Sequence, residues 1–288
     1  MSGSPSTRIF ELRDSAALQV WREELSESAR VGFVPTMGAL HEGHGSLVKK
    51  AIEECDVALV SIFVNPLQFN ESGDLEAYPR TESEDCHLLQ SWGAHAVYLP
   101  TPTDMYPEAE VQKVGAGPIG NRLEGAARPG HFSGMLTVVR RLFERVHPHC
   151  AYFGQKDAQQ LFLVREMCEE AGLKIDIRAC PTVREHDGLA MSSRNRRLTS
   201  SDREKAGALF QAMTQANRAL LSGTSELSAL EDQVHSFLQK HGFEVEYAKV
   251  VDDQTFDAPS PGSLLRIVLA ARLGNVRLID NMLLGKEP

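Results

Sequence analysis

Between residues 31 and 180 short apolar runs alternate with stretches of helical period, and this alternation limits the fold more than any other feature of the chain. The runs fall at 31–34, 57–64, 95–99, 151–153 and 174–179, and the helical stretches at about 44–55, 82–92, 133–146 and 158–171. Repetition of this kind implies βαβ units, a parallel sheet, and ligands bound beyond the carboxyl ends of the strands. After about residue 184 the pattern changes. Two polar-faced helices, near 200–221 and 225–241, precede three β-rich runs at 244–252, 263–272 and 275–280, with Leu273-Gly274-Asn275 as the turn between the last two. A chain of 288 residues exceeds the usual size of one core. The expected architecture is therefore α/β: a Rossmann-like parallel-sheet domain over residues 1–184, then a smaller α+β domain over 185–288.

The richest segment is VGFVPTMGALHEGHGSLV, residues 31–48. Val31, Phe33 and Val34 supply a central strand, and Pro35, which has no N–H to give the ladder, is expected to end it. His41 and His44 stand three apart where the next helix begins, so both imidazoles project from one face near the positive end of its dipole. That is the pattern of a phosphate site. Gly43 and Gly45 lack a Cβ, which would let ligand oxygens approach amides left unpaired in the first turn. A tight turn with two exposed histidines would show the same letters.

Three other clusters sit where strands end. VNPLQF at 64–69 places Asn65 and Gln68 after the second strand, where amides suit a ligand with hydroxyls and a carboxylate, or simply cap a helix. FGQKDAQQ at 153–160 offers Gly154 for close approach, Lys156 as a point charge for phosphate, Asp157 for a ribose hydroxyl or a helix cap, and Gln160 on the first helical turn. MSSRN at 191–195 carries hydroxyls and Arg194, a set able to clamp a triphosphate. Together with the histidine pair these describe one nucleotide pocket. GAGPIG at 115–120 fits the dinucleotide fingerprint by letter only. The preceding EAEVQKV is too polar for a buried strand and the following NRLEGAARPG too broken for a long helix, so a surface loop is the sounder reading.

Composition excludes several classes. A formal charge of −9 disfavours a general nucleic-acid surface, and no run approaches the roughly 20 apolar residues of a membrane span. The first ten residues have no apolar core of secretory length, so the expected location is cytoplasmic. Five widely spaced cysteines with no Cys-x-x-Cys argue for reduced thiols and against a zinc cage.

PTMGALHEGH at 35–44, FVNPLQF at 63–69, YPRT at 78–81, LEGAARPGHFSG at 123–134, FGQKDAQQ at 153–160 and PTVREHDGLAMSSRN at 181–195 resemble, in order, the blocks of the pantoate–β-alanine ligase (pantothenate synthetase) family. That family is similar to the nucleotidyltransferases related to class I aminoacyl-tRNA synthetases, whose signatures are matched here by His-x-Gly-His and Met-Ser-Ser-Arg. One departure is Gly45, where the family has an apolar residue. The resemblance implies an ATP-dependent, AMP-forming ligase that condenses (R)-pantoate with β-alanine through pantoyl adenylate in coenzyme A biosynthesis, working as a homodimer with no enzyme nucleophile. By motif, Met37, Gly38, Ala39, Leu40, His41, Glu42, Gly43 and His44 bind ATP, as do Gly154, Gln155, Lys156, Asp157, Val183, Met191, Ser192, Ser193 and Arg194. His44, with His41 and Lys156, is implied to be catalytic. Gln68 holds pantoate and β-alanine, Gln160 holds pantoate, Asn65 falls on the substrate side, and Arg128 and His131 reach the substrate side or the phosphates. Mg²⁺ is expected with ATP, with Asp85 as a helper. Residues 1–184 would form the catalytic domain and 185–288 a lid. A different nucleotidyltransferase, such as a cytidylyltransferase, and a non-enzymatic nucleotide- or RNA-binding protein are the competing readings. The former would share the histidines without the paired glutamines; against the latter stands the lack of basic runs interleaved with aromatics.

Overall fold

The computed structural model describes residues 9–69, 72–108, 110–223 and 226–286. Along the chain run β1 (Phe10–Leu12), α1 (Ser15–Glu23), β2 (Val31–Thr36), α2 (Glu42–Glu54), β3 (Val57–Ile62), α3 (Ser72–Glu76), α4 (Glu82–Trp92), β4 (Ala96–Tyr98), α5 (Pro102–Met105) and α6 (Glu124–Ala127). There follow α7 (His131–Val146), β5 (Cys150–Gly154), α8 (Ala158–Glu170), β6 (Asp176–Cys180), α9 (Ser200–Ala206), α10 (Ala208–Leu221), α11 (Leu227–Lys240), β7 (Glu244–Asp252), β8 (Leu265–Leu273) and β9 (Val276–Leu283). The chain divides into two compact units: one built from Arg122–Ala127, Gln155–Phe162 and the residues from Pro181 on, the other from the rest.

The latter, the first unit in chain order, holds a six-stranded parallel sheet in the order β1-β4-β3-β2-β5-β6. The chain winds outward from β2 through β3 to β4 and returns to β5 on the other side of β2. That reversal puts a switch point between β2 and β5, the place where such sheets bind ligands. The two strands pair only at Gly32 and Phe33, while β2 runs on to Thr36 against β3 alone. Pro35 therefore does not end the strand, as its lack of an N–H suggested; past Phe33 the β5 side of β2 is unpaired and no ladder bond is lost. Val31, Phe33, Val34, Leu59 and Val60 are fully buried, as strands covered on both faces must be. On α7, Phe132, Met135, Leu136, Val139, Leu142, Phe143 and Val146 recur at helical spacing and are all buried. Phe143 meets Phe33 and Phe153 edge-on, at 6.3 and 6.4 Å between ring centres. Truncating it to Ala would cost about 3–5 kcal/mol.

In the second unit β7, β8 and β9 form an antiparallel sheet whose last turn is Gly274-Asn275, with Gly274 at φ +54°. Leu209, Met213, Val234, Leu238, Ile267 and Leu269 fill the core. The helix expected over 200–221 is two helices that meet at Gly207, where an added Cβ would sit 2.9 Å from the Asp187 carbonyl oxygen. The helix expected over 225–241 is α11; residue 225 lies outside the described residues. Residues 115–120 lie beyond any strand end, as a loop closing in a 3-10 turn at Ile119–Asn121. Among the described residues no helix is long and apolar enough to cross a membrane.

Candidate active site

The loop from β2 to α2 carries the histidine pair. Gly38 and Ala39 both take left-handed backbone, φ +78° and +51°, which turns the chain sharply enough to bring His41 to the N-cap of α2. The cap is reciprocal: His41 Nδ1 accepts from the Gly43 N–H at 3.1 Å, and His44 Nδ1 accepts from the His41 N–H at 3.3 Å. Because each Nδ1 is an acceptor, each neutral ring carries its proton on Nε2. The rings lie 4.1 Å apart at 43°. Two N–H donors are thus aimed from one helix start without either ring needing a charge.

The loop's main-chain amides are used differently from the glycine reading. Gly38 N–H goes to Thr36 Oγ1, Gly43 N–H to His41, and the His44 and Gly45 amides to the His41 carbonyl. Gly45 is instead a packing residue: an ideal Cβ there would lie 2.8 Å from Trp92 Cε2, so the indole on α4 fills the space of the apolar side chain expected in the family. Asp85 is 1% exposed and accepts from Ala39 N at 2.9 Å, Leu40 N at 2.8 Å and Thr81 Oγ1 at 3.2 Å. This carboxylate is engaged in holding the left-handed turn. No group of three or more His, Cys, Asp or Glu able to hold a metal occurs among the described residues.

A second set in the same unit centres on Gln68, in the 3-10 turn Pro66–Gln68 after β3. Asn65 is fully buried and spent within the protein. It accepts from Tyr106 Oη at 2.7 Å and from Leu67 N at 3.2 Å, and donates to Gln68 Oε1 and the Gly134 carbonyl, both at 3.0 Å. Burial pushes the Tyr106 hydroxyl far up, so it stays a donor and fixes the Asn65 amide. Asn65 in turn leaves Gln68 Nε2 as the presented end, 2.9 Å from Met37 Sδ. Asn65 therefore orients Gln68. His131 Nδ1 lies 2.8 Å from the Gln68 carbonyl and its Nε2 2.9 Å from Arg128, a neutral ring bridging the two. Met37, Asn65, Gln68, Arg128 and His131 thus form one connected group. Sequence reasoning missed Tyr106 and Gly134. A Cβ on Gly134 would lie 2.0 Å from the Leu67 carbonyl oxygen, a need only the packing of α7 on this turn reveals.

Gly154 ends β5 with open space where a Cβ would stand, and the 3-10 turn Gln155–Asp157 follows. In the second unit this turn presents Lys156, 3.5 Å from Asp157, while Gln160 is half-buried on the first turn of α8. Val183 to Met191 form a tight hairpin: Met191 N–H bonds the Val183 carbonyl, and Gly188 turns the corner at φ +89°. Burial works to raise the Asp187 carboxyl, but hydrogen bonds from Arg203 and the Leu189 N–H, with the charges of Arg203 and His186, together hold it below its ordinary value. Ser192 caps the next turn through the Arg194 N–H at 3.3 Å, so Met191, Ser192, Ser193 and Arg194 leave the hairpin in a fixed frame. The five cysteines are free thiols, and burial raises Cys86 and Cys168 to about 11, which leaves neither as a nucleophile near neutral pH.

In the first unit paired imidazoles and an oriented glutamine amide follow the ends of β2 and β3, and in the second Lys156 stands on its own turn; the comparisons with known proteins give the class as a ligase. The family model described as pantoate-beta-alanine ligase matches residues 10–283. The pantothenate synthetase of Gluconobacter oxydans is 46% identical over 277 residues, 96% of this chain and 99% of its own. That of Mycolicibacterium smegmatis is 48% identical over 255 residues, 88% and 80% of the two chains. The crystal structure of pantothenate synthetase from Thermus thermophilus superposes with a TM-score of 0.89 at 39% identity, covering 95% of this chain and 99% of that one. A pantoate-beta-alanine ligase from Francisella tularensis, solved with beta-gamma ATP and beta-alanine, gives 0.83 at 37% identity, covering 97% and 99%. The chain belongs to the pantoate–β-alanine ligase family.

Proposed function

We propose that the chain makes pantothenate from (R)-pantoate and β-alanine in two steps. A pantoate carboxylate oxygen attacks the α-phosphorus of ATP, and the bond to the bridging oxygen breaks to release pyrophosphate. The β-alanine amine then attacks the acyl carbon of pantoyl adenylate, loses a proton, and displaces AMP. The observation that carries this is the reciprocal cap of α2, which commits both Nδ1 atoms and so makes Nε2 the N–H position of each neutral ring at the start of the helix that follows β2. Such donors stabilise charge growing on phosphate oxygens without reorganisation. His44, helped by His41 and by the ammonium of Lys156, is assigned that task. Met37 to His44 and Gly154 to Asp157, with Val183 and Met191 to Arg194, are assigned to ATP. Gln68 is assigned to both acyl substrates, Gln160 to pantoate, and Arg128 with His131 to the support of Gln68. The absence of a nucleophile–base pair from these residues fits direct attack by substrate on substrate.

Asp85 is engaged by the loop, and the described residues offer no ligand cage. Mg²⁺ is proposed as a companion of the triphosphate, where it would offset part of the phosphate charge. We further propose a cytoplasmic homodimer, with residues 1–184 as the catalytic domain and 185–288 as the smaller lid domain. The test is product stoichiometry with purified protein, ATP, Mg²⁺, pantoate and β-alanine. One AMP per pantothenate is expected; ADP in place of AMP would overturn the adenylate route.

A further inference from the structure

The two loops assigned to ATP in the second unit, Gln155–Asp157 and Met191–Arg194, have little regular structure of their own. Both the 3-10 turn at Gln155–Asp157 and that at Ser193–Arg197 pack on β9. They are held there by two consecutive residues. Asn281 is 5% exposed, and its Nδ2 donates to the carbonyls of Gln155 at 2.9 Å and Lys156 at 2.8 Å, while its Oδ1 accepts from Arg266. Arg266 is itself buried and anchored on Asp253. Asp280, 2% exposed, takes both arms of Arg184 at 2.6 and 3.1 Å, and accepts the Asn281 N–H at 2.8 Å. The same guanidinium donates to the Gly188 carbonyl at 3.0 Å and the Asn281 carbonyl at 3.3 Å, and lies over the Phe210 ring.

The chemistry at 281 is narrow. A side chain there must donate twice to neighbouring carbonyls and accept once from a cation, which a short amide does and a carboxylate or a hydrocarbon of the same size cannot. Two carbonyls converging on one donor fix the peptide planes on either side of the Lys156 Cα, and so the direction in which its side chain leaves the chain. Arg184 does the equivalent for the hairpin, because its rigid fork fixes angle as well as distance.

We propose that Asp280 and Asn281 are positioning residues of the ligase reaction. Asn281 aims Lys156, and Asp280, through Arg184, aims the Met191–Arg194 loop at the same phosphates. This rests on the assignment of both loops to ATP. The consequence is a split between half-reactions: misaimed phosphate groups slow adenylate formation, whereas attack of the amine on adenylate already made does not call on them.

Asn281→Asp tests this with little change of shape. The full-length protein is assayed for single-turnover adenylation, for aminolysis of supplied pantoyl adenylate, and for hydrogen–deuterium exchange over residues 153–160. Adenylation is expected to fall about 10–100-fold with a raised KM for ATP, the range for a displacement of about 1 Å. Aminolysis and the KM for β-alanine should stay within about twofold, and exchange over 153–160 should rise. If Asn281→Asp does not fold, Arg184→Lys applies the same test to the hairpin. It keeps the charge beside Asp280 but loses the fork, so faster exchange over 183–195 with the same split is expected. Equal loss in both half-reactions, or unchanged exchange with a normal ATP KM, overturns the proposal. Wild-type protein that forms no AMP overturns instead the function on which it rests, so the two failures are told apart.

Discussion

Replacing Gly134 by alanine joins fold to function in one methyl group. In an unobstructed helix interior the change stabilises by about 1 kcal/mol, since glycine is the poorer helix former. Here the new Cβ would stand 2.0 Å from the Leu67 carbonyl oxygen, 2.4 Å from its carbon and 2.8 Å from the Gln68 nitrogen. Ordinary C···O contacts begin near about 3.3 Å, so α7 or the turn must retreat by more than about 1 Å. Overpacking of that kind costs about 1–3 kcal/mol and reverses the sign expected from propensity. A loss near 2 kcal/mol corresponds to a Tm lower by roughly 4–8 °C in a protein of this size. The Asn65 bond to the Gly134 carbonyl and the Gln68 amide move with the turn, so kcat/KM for pantoate should fall by up to about 100-fold. Thermal unfolding and steady-state kinetics measure both. A Tm equal to or above wild type, with an unchanged KM for pantoate, would refute the reasoning.

Five other single substitutions separate the roles. His44→Ala and Lys156→Ala should each slow adenylation about 10²–10³-fold, whereas Gln68→Ala should mainly raise the KM for pantoate and β-alanine, by about 1–3 kcal/mol of lost hydrogen bonding; near-normal adenylation in His44→Ala with weakened ATP in Gln68→Ala would exchange the assignments. Asp85→Asn turns an NH₂ group toward one of two main-chain N–H donors, so urea unfolding should show a loss of about 2–4 kcal/mol with the Mg²⁺ dependence unaltered; a stable variant needing far more Mg²⁺ would return Asp85 to the metal. Gly45→Ala should destabilise by about 1–3 kcal/mol through Trp92, and Trp92→Leu in the same chain should recover much of that loss; a neutral single variant would show the contact to be slack.

What the sequence revealed was local. Alternating runs located the longer strands and helices, because burial on both sheet faces imposes apolar letters that need no knowledge of partners. β1 escaped, since Phe10, Glu11 and Leu12 form only three residues with one buried. The i, i+3 spacing of His41 and His44 correctly put their rings together. Their proton arrangement was invisible, for it depends on which amides the loop consumes. The same blindness made Gly45 look like a place for ligand oxygens when it makes room for Trp92, 47 residues further on, and hid the bonds by which Asp85 holds the Ala39 and Leu40 amides. Asn281, bonded to carbonyls more than 120 residues earlier, leaves no periodic trace at all.

The central claim is that an activated pantoate exists before the amine arrives. Exchange of labelled pyrophosphate into ATP, with Mg²⁺ and pantoate present and β-alanine withheld, reads it directly. Exchange is expected to depend on pantoate and to proceed without β-alanine. Exchange that appears only when β-alanine is added would contradict it.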